Sequence, residues 1–316
     1  MNTMRNRRSL FTIVPVLTIV GVLLSACAAP TQISPTEVSG TSAPAAVPTN
    51  TEVLPTPVAT VARDQLILPG KLQICSDIPA PPLEFYDDRG NLLGSDIDTG
   101  NEIARRLDLK PEWVNSVFDT VIAAVNTGKC DIVITFSMIK QTRLEQVDMI
   151  PYISGGHGFL VKKGNPAGIT EDPMSTCGKK MATQLGTAEA DTAKEFNDAC
   201  VKAGKPPIEI YVATKAATAL QELQSGRSDV FFYDSAVVGY YVVQQPTEFE
   251  LVASAVGGVI PVGMMISKEK TGLNTAVRAA LKSMKDDGTY QKILEKWGLG
   301  SNWVPPLDFK LGDPVP

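Results

Sequence analysis

A chain of 316 residues, 44% hydrophobic and 20% charged, has an ordinary globular composition and is long enough for two modest α/β lobes. Those figures exclude a disordered chain and a multi-span membrane protein. The formal charge of −5 falls to −8 if a leader carrying Arg5, Arg7 and Arg8 is removed, which argues against a nucleic-acid partner.

Residues 1–26 read as an export signal, with a basic stretch to Arg8 and an apolar run over 10–24. The run is short for a bilayer span and Pro15 interrupts it, which disfavours a transmembrane anchor. It ends in Leu24-Ser25-Ala26-Cys27, a match to the lipobox of bacterial lipoproteins. There the thiol corresponding to Cys27 takes a diacylglyceryl group and becomes the lipidated N-terminus, so a membrane contact through lipid is expected. Arg7-Arg8-Ser9-Leu10-Phe11 also resembles a twin-arginine signal, and the export route stays open. Residues 27–63 are rich in Thr, Pro, Ser, Ala and Val and read as a disordered tether. Folded sequence is expected from near Leu66.

A first strand is expected over 71–75, followed by a helix whose start is the capping box Thr99-Gly100-Asn101-Glu102. A second helix runs from Asp119 through Val121, Ile122 and Val125 to Gly128, and a strand follows over 131–135. Alternating units of this kind imply a parallel sheet with helices on its faces. Val125-Asn126-Thr127-Gly128-Lys129-Cys130-Asp131-Ile132 resembles Leu223-Gln224-Ser225-Gly226-Arg227-Ser228-Asp229-Val230, with the glycines 98 residues apart. Each copy ends a helix on a glycine and enters a strand through an Asp, which suggests two similar lobes. Further strands are expected near 157–162, 180–184, 208–212 and 230–233, with helices after Thr187 and Thr214. A return segment over 261–267 leads into two helices, the last with Tyr290, Ile293, Leu294 and Trp297 on one apolar stripe that reads as core.

Signatures of catalysis are scarce. The single histidine, His157, lies in Gly155-Gly156-His157-Gly158 with no G-x-S-x-G elbow elsewhere, and reads as a solvent-facing residue at a strand start. The glycines around it read as a flexible crossing between lobes. No metal-ligand spacing, phosphate loop or dinucleotide fingerprint is present, so no cofactor and no metal are expected.

Several stretches in order resemble the polar amino acid solute-binding proteins of ABC importers, bacterial solute-binding family 3. Gly94-Ser95-Asp96-Ile97-Asp98 with Ile103-Ala104 is similar to that family's helix start, and Asp131-Ile132-Val133-Ile134 to Ile139 with Arg143, Val147-Asp148 and Pro151-Tyr152 to its strand and turn. Gln184-Leu185-Gly186-Thr187, Ser225-Gly226-Arg227-Ser228-Asp229 with Asp234, and Gly288-Thr289-Tyr290 with Lys296-Trp297-Gly298-Leu299 complete it. The resemblance covers about residues 66–299. It implies a type II periplasmic-binding-protein-like α/β fold, two lobes with central sheets joined by two crossing segments and a ligand in the cleft. The lobes are expected at 64–157 with 262–300, and at 158–261, with a C-terminal tail over 301–316.

The resemblance implies a ligand site of Asp77, Ser95, Phe136, Met138, Arg143, Gln184, Thr187, Ala188 and Asp234. Chemically, the Arg143 guanidinium suits a ligand carboxylate, Thr187 and Ala188 open a helix whose free amides favour the same group, and Asp234 suits an α-ammonium. Asp77 is left to face a polar or cationic ligand side chain. Ala80 and Ser95 stand where the family often has aromatics, and Phe136 and Met138 where it has small residues, so the pocket is reshaped.

The expected function is capture of an amino acid or similar zwitterion for an ABC transporter permease by a monomeric lipoprotein. The alternatives are a ligand sensor on the same fold and a cyclohexadienyl-dehydratase-like lyase. Of the four cysteines after Cys27, Cys177 and Cys200 flank one strand and its following helix and are expected to form a disulfide in the second lobe. Cys75 and Cys130 are expected at opposite edges of a parallel sheet, as free thiols.

Overall fold

The computed structural model describes residues 57–316, which belong to one compact unit, Val53–Pro316. The expected export signal, the expected lipidation site Cys27 and most of the expected tether lie outside the described residues. The end of the expected tether does not stay free: Val58 N donates to Arg106 O at 3.0 Å, and Ala59 and Val61 pack on the core, so folded chain begins before Leu66.

The first lobe is built from β1 (Lys71–Ser76), the short hairpin β2 (Phe85–Tyr86) and β3 (Leu92–Leu93), α1 (Ser95–Arg106), β4 (Lys110–Asn115), α2 (Val121–Asn126), β5 (Ile132–Met138) and α3 (Gln141–Leu144). The long strand β6 (Asp148–Lys162) carries the chain across. The second lobe then follows with β7 (Lys180–Gln184), α4 (Ala188–Lys202), β8 (Glu209–Ala213), α5 (Ala216–Gln224), β9 (Val230–Asp234) and α6 (Ser235–Gln244). Strand β10 (Phe249–Ile266) returns it to α7 (Thr271–Asp286) and α8 (Thr289–Lys296).

Among the described residues the main sheet has eight strands in the order β4-β1-β5-β10-β6-β9-β7-β8. The expected parallel sheet is thus two parallel trios, β4-β1-β5 and β9-β7-β8, joined by an antiparallel ribbon of β6 and β10. Both crossing segments are strands, and repeated register shifts along the ribbon bend and twist it between the lobes. The glycines read as a flexible crossing lie inside β6. A Cβ on Gly155 would meet the Phe136 ring at 2.6 Å and one on Gly158 would meet Val238 at 2.3 Å, so close packing, not mobility, explains them.

The helix expected to begin at Thr99 begins instead at Ser95, with Gly94 as its cap at φ 140°, where any Cβ would lie 1.9 Å from Leu83 O. Thr99 is buried within α1, and Glu102 pairs with Arg105 and Arg106 rather than closing a capping box. The internal repeat recurs in atomic detail. Asp131 accepts from Gln73 N and Asp229 from Lys180 N, both at 2.8 Å, so each Asp ties its strand to the first strand of its own lobe.

Both cysteine pairs are disulfides. Cys177–Cys200 closes 23 residues as expected. Cys75–Cys130 closes 55, correcting the expectation of free thiols: β1 and β5 are adjacent strands, not opposite edges, and the Cα atoms are 5.8 Å apart.

A candidate ligand cleft between the lobes

The first lobe's wall is set by strand ends and helix starts. Asp77 follows β1, its amide donating to Thr135 Oγ1 at 3.0 Å, and is 4% exposed. Ser95 opens α1 with a buried hydroxyl that has no hydrogen-bond partner among the described residues. Phe136 in β5 has φ 46°, an uncommon backbone for a bulky residue. Its amide holds that geometry by donating to Asp96 Oδ2 at 2.9 Å, while its ring rests on Gly155. Arg143 in α3 donates through Nη1 to Met138 O at 2.7 Å and lies 5.2 Å over the Phe118 ring. Its other nitrogen, Nη2, crosses to Gly186 O in the second lobe at 3.1 Å.

In the second lobe, Gln184 ends β7 and links both sides. Its Nε2 donates to Asp77 Oδ2 at 2.5 Å and its Oε1 accepts from Tyr233 OH at 2.6 Å. Thr187 caps α4, accepting from Ala190 N at 3.1 Å, and Ala188 is the first helical residue, half-buried. The amides of this first turn have no intrahelical acceptor, and the helix dipole favours an anion there. Asp234 ends β9 and is buried opposite His157 in the strand pairing. Eight of the nine expected site residues are buried, and Ala188 is the partly exposed one.

The sequence reading missed five neighbours. His157, expected to face solvent, is buried with Nδ1 2.9 Å from Glu189 Oε1. Glu189 in turn lies close enough to Asp234 to raise its pKa. Glu84 accepts from Thr135 Oγ1 at 2.5 Å, and Asp96 accepts from Tyr152 OH at 2.9 Å. Lys215, at the cap of α5, places its ammonium on Asp77 Oδ1. Asp96 lay inside the helix-start motif, which was a usable signal. Nothing local marks the others, because each acquires its partner from a distant segment.

Charge in the cleft is governed by burial. The Asp234 carboxyl is pushed well above the ordinary range by burial and then by the Glu189 charge, with Arg143 opposing. Burial also raises Asp77, against the pull of Lys215 and Gln184. Burial and the neighbouring Asp96 push Glu84 well up, and burial carries Asp96 to about 7 against hydrogen bonds from Tyr152 and Phe136. Burial lowers Arg143, and Glu189 and Asp234 work to keep it charged.

Residues 72–300 match the family model for bacterial extracellular solute-binding proteins, family 3. The chain is 28% identical over 252 residues to the arginine-binding protein ArgT of Corynebacterium glutamicum, covering 78% of this chain and 82% of that one. It is 26% identical over 249 residues to the lysine/arginine/ornithine-binding periplasmic protein of Escherichia coli strain K12, covering 76% and 92%. Among solved structures, an ancestral arginine-binding protein bound to arginine superposes with TM-score 0.66 at 36% identity, covering 72% of this chain and 98% of that one. An ancestral amino acid-binding protein described as a precursor of cyclohexadienyl dehydratase gives TM-score 0.65 at 35% identity, covering 72% and 95%.

Proposed function

The chain belongs to bacterial extracellular solute-binding protein family 3, and from that premise we propose that it captures an α-amino acid between its lobes and delivers it to an ABC importer. The observation that carries this reading is that Arg143 of one lobe and Asp234 of the other are buried in one cleft, beside the open first turn of α4. A ligand carrying both a carboxylate and an ammonium neutralises both residues, whereas either charge left unpaired in a closed cleft costs several kcal/mol. The carboxylate is assigned to Arg143 and the amides after Thr187, and the ammonium to Asp234.

The two lobes, 64–157 with 262–300 and 158–261, close over the ligand by bending the β6–β10 ribbon. Lipidation at Cys27 would hold this monomeric protein on the outer face of the membrane, near the permease. Curated relatives are named for arginine, lysine, ornithine, cystine and histidine, which sets the first amino acids to try.

A thermal-shift panel of α-amino acids against their decarboxylated and deaminated analogues tests the reading. Stabilisation by at least one amino acid, lost with both of its analogues, is expected. Equal stabilisation by an analogue lacking either group would refute the assignment.

A further inference from the structure

The side chain that meets Asp77 belongs to the protein itself. Lys215 Nζ bonds Asp77 Oδ1 and lies 3.5 Å from both Ile78 O and Asn115 Oδ1, so three oxygens face its three hydrogens. Gln184 Nε2 occupies the other carboxylate oxygen. Asp77 therefore has its charge matched and both oxygens capped across the closed cleft.

Helix stability does not explain a lysine at this position. Lys215 is the cap of α5, its side chain makes no capping bond, and a cation at the positive end of a helix is unfavourable. Its contacts all lie in the opposite lobe, on residues that follow β1 and end β4.

We propose that Lys215 is a specificity-determining residue, an internal ammonium that takes the place beside Asp77 a basic ligand side chain would need, so the cleft selects amino acids with neutral hydrogen-bonding side chains. This rests on the amino acid reading above and narrows it. An incoming ammonium or guanidinium would have to share one carboxylate with Lys215 in a water-poor space, and like charges there repel strongly. A neutral polar group meets no such repulsion and can still hydrogen-bond to the capped carboxylate.

Calorimetric titration of the intact protein and of its Lys215→Met variant with glutamine and with arginine decides the matter. The wild type is expected to bind glutamine about tenfold or more tighter than arginine, and Lys215→Met to gain about tenfold or more for arginine, a difference near 1.4 kcal/mol. Lys215→Gln, which keeps a polar chain of similar length, should show the same gain if Lys215→Met folds poorly by circular dichroism. Arginine bound by the wild type at least as tightly as glutamine, with no gain in either variant, would overturn the specificity role and leave amino acid capture standing. Binding of neither amino acid by the wild type or the variants, alongside tight binding of a ligand lacking the amino acid groups, would overturn both.

Discussion

The Arg143 guanidinium of the first lobe donates across the cleft to the carbonyl of Gly186, 3.1 Å away and one residue before the Thr187 helix cap. The group assigned to the ligand carboxylate therefore also touches the loop that presents the amides for it. Arg143→Ala should weaken amino acid binding by about 2–5 kcal/mol, as when one partner of a buried charged pair is lost. Arg143→Lys keeps the charge without the planar fork and should recover only part of it. Titration of both variants checks this, and unchanged affinity in Arg143→Ala would contradict the assignment.

Asp234 gives a second handle. Burial and the Glu189 charge raise its carboxyl well above the ordinary range, which favours the protonated form over the carboxylate, while Arg143 opposes. Arrival of an ammonium favours the ionised form, so binding near neutral pH should release a proton. The observed binding enthalpy should then vary with the ionisation enthalpy of the buffer. That dependence should shrink in Asp234→Asn, alongside weaker binding.

The two disulfides should differ in worth. In the loop-entropy relation, the 55-residue closure by Cys75–Cys130 contributes ~4 kcal/mol and the 23-residue closure by Cys177–Cys200 ~3 kcal/mol. Urea unfolding of Cys75→Ser/Cys130→Ser and of Cys177→Ser/Cys200→Ser should show losses in that order. A non-reduced digest should contain both linked peptide pairs, and free Cys75 and Cys130 would contradict the pairing.

Stability should fall with rising pH through the range where Asp96 titrates. Unfolded Asp96 releases its proton near pH ~4. Folded Asp96, buried beside Glu84 and Tyr152, keeps it to about 7. Between those values the folded state binds more protons, so this contribution is complete below the unfolded value and is lost as pH rises through about 7. Glu84, also raised by burial, extends the slope in the same direction. Unfolding midpoints between pH 4 and 8 should flatten in Asp96→Asn, and an unchanged slope would point elsewhere.

What was legible in the sequence was local. The bounds of β7, the Thr187 cap and the paired Asp131 and Asp229 follow from a short run between turn residues, capping chemistry and a recurring turn. Strand β4 was missed because it lies at the sheet edge and contains Pro111, which breaks the usual strand pattern. Helix α6 was missed because Ser235–Gln244, with its valines and tyrosines, shows no helical stripe. The burial of His157, the adjacency of β1 and β5, and the Lys215–Asp77 pair depend on which strands become neighbours. Tertiary topology decides that, and periodicity does not reach it.

Capture of an α-amino acid in the cleft is tested most directly by isothermal titration of purified ligand-free protein with individual amino acids, repeated on Arg143→Ala. Saturable one-to-one binding of at least one amino acid, abolished or strongly weakened in the variant, is the expected result. Tight binding of a neutral sugar or a dicarboxylate, with no response to any amino acid, would contradict it.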